Sequence, residues 1–93
     1  MNTLEAKRLE IERIDSLIID LFIKRMAVVK EIALYKKENN LQIENIEREK
    51  FLLEKNLLLL NNEELEEYYV QLMKEFIRIS KEYQNYIIEK ESK

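Results

Sequence analysis

Polar and charged side chains occupy helical stripes that are otherwise apolar in this 93-residue chain. Three cations, Arg8, Arg25 and Lys36, share the stripe of the first periodic segment with aliphatic residues. Near the C-terminus, Ser80 and Gln84 are four residues apart, which places them on one helix face. Together these groups predict a pocket rich in hydrogen-bond donors, suited to a small anion with several oxygens.

Each of these residues also has a structural interpretation. Taken singly, the three cations are typical of side chains that bury their stem and hydrate their charged head. Ser80 is typical of a small residue that bonds its own helix backbone, and Gln84 of a surface residue. It is the combination of the five that favours a binding pocket.

Arg48 and Glu49 open a second periodic segment, one turn before Leu52 and Leu53. A cation and a carboxylate at that position are typical of the exposed first turn of a helix. The same pair would also fit the predicted pocket.

The apolar periodicity predicts three helices and an all-α fold. They run from about Thr3 to Glu38, from about Asn45 to Leu60, and from Glu63 to near the C-terminus. Thr3 is a plausible N-cap, and the Asn39-Asn40 and Asn61-Asn62 pairs are stop signals, because asparagine tolerates the left-handed conformation that ends helices.

The residues that are missing limit both fold and chemistry. The chain contains no Gly and no Pro, which argues against tight hairpins and against a glycine-rich phosphate loop. It contains no Cys and no His, which excludes a disulfide, a thiolate nucleophile and an ordinary zinc site. We therefore expect one domain over residues 1–93 that needs neither a metal nor another cofactor.

Charge and hydropathy limit the partners. The formal net charge is −3, from 16 basic and 19 acidic residues spread along the chain, which argues against binding to nucleic acid. The longest purely apolar run is Leu57 to Leu60, far too short to cross a membrane. With no signal peptide in view, a cytoplasmic location is the expectation.

The first helix predicts an oligomer. At ~1.5 Å per residue a helix of ~36 residues is ~54 Å long. A compact monomer of this size has a radius of gyration of only ~12 Å, so the helix would protrude with its apolar stripe in water. A second copy of the chain is the simplest cover, and we expect a homodimer.

Four stretches in order carry a family resemblance: RLEIERID (8–15), KRMAVVKEIALYKKEN (24–39), IENIERE (43–49) and ISKEYQ (79–84). In this order and with these spacings they resemble the all-helical chorismate mutases. The resemblance implies three helices intertwined into a homodimer with two active sites. It also implies that Arg8 reaches into the partner's site, which matters because Arg8 and Arg25 are ~25 Å apart along one helix.

The reaction implied is the Claisen rearrangement of chorismate to prephenate, a step of phenylalanine and tyrosine biosynthesis. By resemblance, Lys36 and Gln84 face the ether oxygen and Glu49 takes the ring hydroxyl, helped by the backbone near Asn45. By the same resemblance, the two substrate carboxylates are bound by Arg8, Arg25, Arg48 and Ser80. Burial is expected to lower the pKa of Lys36, and Glu49 and the substrate to raise it more strongly.

Two positions depart from the family pattern, and two other functions stay open. Asn45 replaces the usual Asp, and Asn40 the usual Gly of the first connector. An isochorismate pyruvate lyase would use a similar pocket in the same fold. A non-catalytic helical dimer would use the polar residues only to set its register.

Overall fold

The computed structural model describes residues 2–92, and it consists of three helices joined by short connections. Helix α1 spans Thr3–Glu38, α2 spans Ile46–Leu60 and α3 spans Glu63–Glu91. The predicted all-α fold with a long first helix is confirmed, and the predicted bounds agree with the observed ones to within a residue where both were given.

Asparagine side chains cap all three helix N-termini. The Oδ1 atoms of Asn2, Asn45 and Asn62 each accept a hydrogen bond from the backbone N–H three residues later, at 2.8, 3.0 and 3.2 Å. The prediction that Thr3 caps α1 was wrong, because Asn2 takes that place and Thr3 is the first helical residue. Asn is as effective a cap as Ser or Asp, since its carbonyl oxygen reaches the same orphan donor.

Helices α1 and α2 also end at asparagines. Asn40 and Asn61 are the two residues within 2–92 with positive φ, at 55° and 45°. Asn39 is the C-cap of α1 and Asn61 that of α2. The chain therefore turns twice without glycine, because the short polar side chain of asparagine tolerates the left-handed region.

Helix α3 lies between the other two helices. The C-terminal half of α1 packs on α3 through Val29 and Ala33, which are 6 % and 0 % exposed, and through Ile87 on α3. Helix α2 packs on α3 around Met73, whose sulfur accepts from Tyr69 Oη and Asn56 Nδ2. In residues 2–92, α1 and α2 do not pack against each other, so α3 holds the two together.

The N-terminal half of α1 projects away from this core. Every residue from 3 to 20 is exposed, including large aliphatic residues such as Ile11 and Leu17, which are 57 % and 63 % exposed. The Cα radius of gyration is 16.8 Å and the principal extents are 55 × 30 × 15 Å. A compact chain of this length has a radius of gyration of ~12 Å, so the single chain is markedly extended.

None of the helices described is at once long enough and apolar enough to cross a lipid bilayer.

Candidate active site

A cavity of about 540 Å³ lies where the C-terminal half of α1, the α1–α2 connector and the start of α2 meet α3. This volume is within the usual range of small-molecule sites, about 300–1,000 Å³. Its polar and charged lining comprises Arg25, Lys36, Asn45, Arg48, Glu49, Ser80, Lys81 and Gln84. Seven of these are residues predicted from the sequence, Lys81 was not predicted, and the predicted Arg8 lies elsewhere.

The apolar stripe of α1 explains why cations stand among aliphatic residues. Arg25, Val29, Ile32 and Lys36 follow one another at steps of four, three and four, so they share a helix face. All four line the cavity. Val29 and Ile32 stand between the two cations along the helix, so one face of α1 brings both apolar and charged groups to the cavity.

Arg25 is held in place from α3 by two contacts. Its Nη1 atom donates to Ser80 Oγ at 2.6 Å, and its guanidinium carbon lies 5.1 Å from the centre of the Phe76 ring. Ser80 is 8 % exposed, so this hydrogen bond is largely shielded from water. The stacked ring and the hydroxyl together orient the planar guanidinium group while leaving other N–H donors available.

Lys36 links α1 to both the connector and α3. Its Nζ donates to the carbonyl oxygen of Ile43 at 2.7 Å and to Gln84 Oε1 at 3.0 Å. An ammonium group has three protons, so one remains for a ligand. Since the Oε1 atom of Gln84 accepts from Lys36, the Nε2 amide of this buried residue is its donor group.

Burial decides the pKa of Lys36 in the chain without a substrate, and the expectation for the substrate-bound site stays a prediction. Burial lowers the pKa of Lys36, and the negative charge of Glu49 offsets this only in part, so the pKa lies below the ordinary value for lysine. The sequence-based prediction was that Glu49 and the substrate together would outweigh burial. Within the chain itself burial dominates, because Glu49 is the only carboxylate with a resolved effect on this group in residues 2–92.

Asn45 and Arg48 lie together at the N-terminus of α2. The side chain of Asn45 accepts from the Arg48 backbone N–H, so its first role is to cap the helix. Asn and Asp serve equally well as caps, which makes the departure from the usual Asp structurally mild. The Arg48 guanidinium carbon lies 5.3 Å from the centre of the Phe51 ring, on the exposed side of the cavity.

Glu49 is the one carboxylate in the lining of the cavity. Its Oε1 atom is 3.4 Å from Lys81 Nζ, whereas its Oε2 atom is buried and has no hydrogen-bond partner within residues 2–92. Burying a carboxylate oxygen without a hydrogen-bond donor costs folding free energy, and such unpaired oxygens are uncommon in native structures. The cavity side of Glu49 therefore favours a ligand that brings a hydrogen-bond donor.

Lys81 also contacts the connector, since its Nζ is 3.4 Å from Glu44 Oε1. Burial is the largest single influence and lowers the pKa of Lys81, but the hydrogen bonds and charges of Glu44 and Glu49 together raise it above its ordinary value. The signal for this residue was present in the spacing, because Ser80, Lys81 and Gln84 share one side of α3.

Arg8 is the predicted site residue that the chain does not bring to the cavity. It lies on the exposed N-terminal half of α1, ~25 Å from Arg25 along the helix axis. A single straight helix holds the two side chains apart, so they do not meet within one chain.

The lining as a whole combines four cations with one carboxylate and two buried neutral polar groups. Convergent guanidinium and ammonium groups are suited to a small guest with several anionic oxygens, and Glu49 to a hydroxyl on that guest. In the part of the chain that the structure describes, no group of three or more acidic residues is placed to hold a metal ion.

The family described as chorismate mutase type II matches residues 7–85. The chain belongs to this family. No curated protein and no solved structure matches the chain significantly. The part that matches the chorismate mutase family includes all eight polar and charged residues of the cavity and also Arg8.

Proposed function

We propose that this protein is a chorismate mutase, which converts chorismate to prephenate by an intramolecular Claisen rearrangement. It would act as an intertwined homodimer of one-domain chains in phenylalanine and tyrosine biosynthesis. The observation that carries the proposal is the cavity of this family member, whose lining combines four cations with one carboxylate, Glu49, whose Oε2 atom is buried without a partner in residues 2–92.

The reaction suits the chemistry of the lining. A pericyclic rearrangement breaks an ether bond and forms a carbon–carbon bond in one step, without a nucleophile or a general base. The protein has to hold the compact conformer of the substrate and to stabilise the charge that grows on the ether oxygen. Rigid donors on three packed elements fulfil both requirements, because they need little reorganisation as the charge develops.

The two substrate carboxylates would be bound at separate ends of the cavity. Arg25, oriented by Ser80 and Phe76, supplies a planar fork for one of them, and Arg48 supplies donors from the rim. Arg8 of the partner subunit would complete the set. Binding at both ends would draw the enolpyruvyl side chain over the ring, which is the reactive arrangement.

The ether oxygen would lie beside the Lys36–Gln84 pair and accept a hydrogen bond from Lys36 Nζ and from Gln84 Nε2. The two groups are 3.0 Å apart, and each retains protons after their mutual hydrogen bond is counted. These two donors stabilise the transition state more than the substrate, because negative charge increases on the ether oxygen as the bond breaks.

The ring hydroxyl of chorismate would donate to Glu49. The buried Oε2 atom needs such a donor, which supports the assignment. Asn45 borders the same part of the cavity, and its contribution beyond capping α2 would come through the backbone.

The dimer is supported by two features of α1. Residues 3–20 expose a continuous apolar surface that a second chain of the same length would cover. Arg8, placed on that half, lies too far from its own cavity and is available to another. A homodimer in which the α1 helices cross satisfies both features.

The decisive experiment measures the loss of the ultraviolet absorbance of chorismate on addition of the purified protein, with product analysis. Formation of prephenate supports the proposal. Formation of pyruvate and salicylate from isochorismate, supplied in a parallel assay, would identify a lyase of the same fold, and no reaction with either compound would leave a non-catalytic helical dimer.

A mixing experiment tests the shared site. Arg8→Ala and Arg25→Ala dimers are each expected to be nearly inactive. The two variants are then unfolded together and refolded as an equimolar mixture, in which about half of the dimers contain one chain of each variant. Each mixed dimer has one site with both arginines intact and one site that lacks both. Activity should therefore return to about one quarter of that of the wild type. An Arg8 that served its own chain would give no recovery.

A further inference from the structure

Lys81 is the one charged residue of the cavity lining that has no role in the proposed function. It lies on α3 between Ser80 and Gln84, and its side chain is 31 % exposed. Its ammonium group is equidistant, at 3.4 Å, from one carboxylate oxygen of Glu44 and one of Glu49. It therefore joins the connector, α2 and α3 at the wall of the cavity.

The contact with Lys81 involves only one of the two carboxylate oxygens of Glu49. Oε1 faces Lys81, and Oε2 is buried without a protein donor among the described residues. Holding one oxygen beside Lys81 restricts the rotation of the carboxylate, and with it the position of the other oxygen.

Other charges near Glu49 do not replace this contact. Lys36 on α1 acts on Glu49 through its charge, but its hydrogen bonds go to Ile43 and Gln84. Arg48, the preceding residue on α2, has its guanidinium group over Phe51. Within residues 2–92, Lys81 is the only group that donates to the Glu49 carboxylate.

We propose that Lys81 is a positioning residue that holds the Glu49 carboxylate turned so that Oε2 accepts the hydroxyl of the substrate. Lys81 does not itself touch the substrate in this arrangement. The inference rests on the proposed function only for the identity of that hydroxyl group.

The kinetic test uses Lys81→Met, which keeps the stem and removes the charge. We expect kcat/KM to fall about tenfold, the lower end for losing a hydrogen bond to a charged group. Lys81→Arg should restore most of the activity, and Lys74→Met, at an exposed position of the same helix, should leave kcat/KM unchanged.

A double-mutant cycle separates an indirect from a direct role. In a Glu49→Gln background, Lys81→Met should change kcat/KM by less than about twofold, since the residue through which it acts is already neutral. A loss in that background as large as in the wild type would overturn the inference and indicate that Lys81 binds the substrate itself. A loss of activity in Lys81→Met that Lys81→Arg does not restore would also overturn it.

A measurement on the protein alone keeps the inference distinct from the proposed function. Crystal structures of the wild type, of Lys81→Met and of Lys74→Met, without any substrate, give the orientation of the Glu49 carboxylate. A carboxylate that turns only in Lys81→Met supports the inference even if the protein does not consume chorismate. An unchanged orientation would refute it even if the wild type is fully active.

Discussion

The two halves of α1 have similar chemistry but very different surroundings. Residues 3–20 and residues 21–38 are both rich in aliphatic side chains and both carry arginines on the apolar stripe. In the second half Val29 and Ala33 are buried against α3, and Arg25 and Lys36 have fixed partners there. In the first half every residue is exposed.

A single chain therefore buries residues of only the second half of its longest helix. The second half of α1 is held by its own α3, which makes the cavity a property of the single chain. The first half has the composition of a buried helix, yet all of residues 3–20 are exposed in the described part of the chain, so its burial depends on association. The predictions below test that division, from the largest expected effect to the smallest.

Placing a charge in the first half should be the most damaging change. Ile18 is 52 % exposed in the single chain, where Ile18→Asp would cost little. If a second copy covers this surface, the substitution buries an unpaired carboxylate and should abolish dimer formation and activity together. Sedimentation and thermal unfolding measure this, with Lys74→Asp at an exposed position of α3 as the matched control. A fully active, dimeric Ile18→Asp protein would contradict the division.

Removing a donor in the second half should affect catalysis and not assembly. We expect Lys36→Ala and Gln84→Ala each to lower kcat by about 10²–10³, the usual effect of losing one preorganised donor. Both variants should remain folded dimers by sedimentation and circular dichroism. Lys30→Ala, an exposed lysine of the same half, should retain wild-type activity. Full activity of Lys36→Ala would show that the ether contact is assigned wrongly.

The alkaline limb of the pH–rate profile should report Lys36. Burial lowers the pKa of Lys36 in the chain, so kcat/KM should fall as pH rises through a value below that of an ordinary lysine. The alkaline limb of kcat should lie at higher pH than that of kcat/KM, because the carboxylates of the bound substrate favour the ammonium form of Lys36. Lys36→Arg should remove the limb, since arginine stays charged. Coincident limbs in kcat and kcat/KM would argue against substrate carboxylates near Lys36.

Changing the N-cap of α1 should have the smallest effect on stability and activity. Asn2→Ala removes the acceptor for the Glu5 N–H and should cost about 1 kcal/mol of stability or less, because only the first turn of α1 frays. Asn2→Asp should be neutral, as aspartate caps equally well. Thermal unfolding of the dimer measures both changes. A large loss of activity in Asn2→Ala would mean that the first turn itself contributes to the partner's site.

Much of the fold was predictable because local signals were unambiguous. Without Gly or Pro to interrupt it, the apolar periodicity of α1 continues to Glu38, and the paired asparagines mark both turns. The error at Thr3 came from two adjacent residues that can both cap a helix. The geometry of the first turn selects Asn2, since its Oδ1 reaches the N–H of Glu5.

The site was predictable as a set of residues but not as a set of contacts. The spacing along α1 and α3 indicated which cations and amides share a face, and seven of the eight predicted residues line one cavity. The partners that orient them are distant in sequence: Phe76 for Arg25, the Ile43 carbonyl for Lys36, and Lys81 for Glu49. No periodic pattern within one helix encodes how two helices rotate relative to each other.

The sequence by itself determined the helices, their ends and the charged residues on their apolar faces, because these depend on interactions within a few residues of the chain. Only the tertiary structure decided that burial outweighs Glu49 at Lys36, that Glu49 keeps one oxygen without a protein donor, and that Lys81 stands beside the other. Desolvation and pairing depend on which surfaces meet, and here those surfaces come from three elements up to 55 residues apart in the chain.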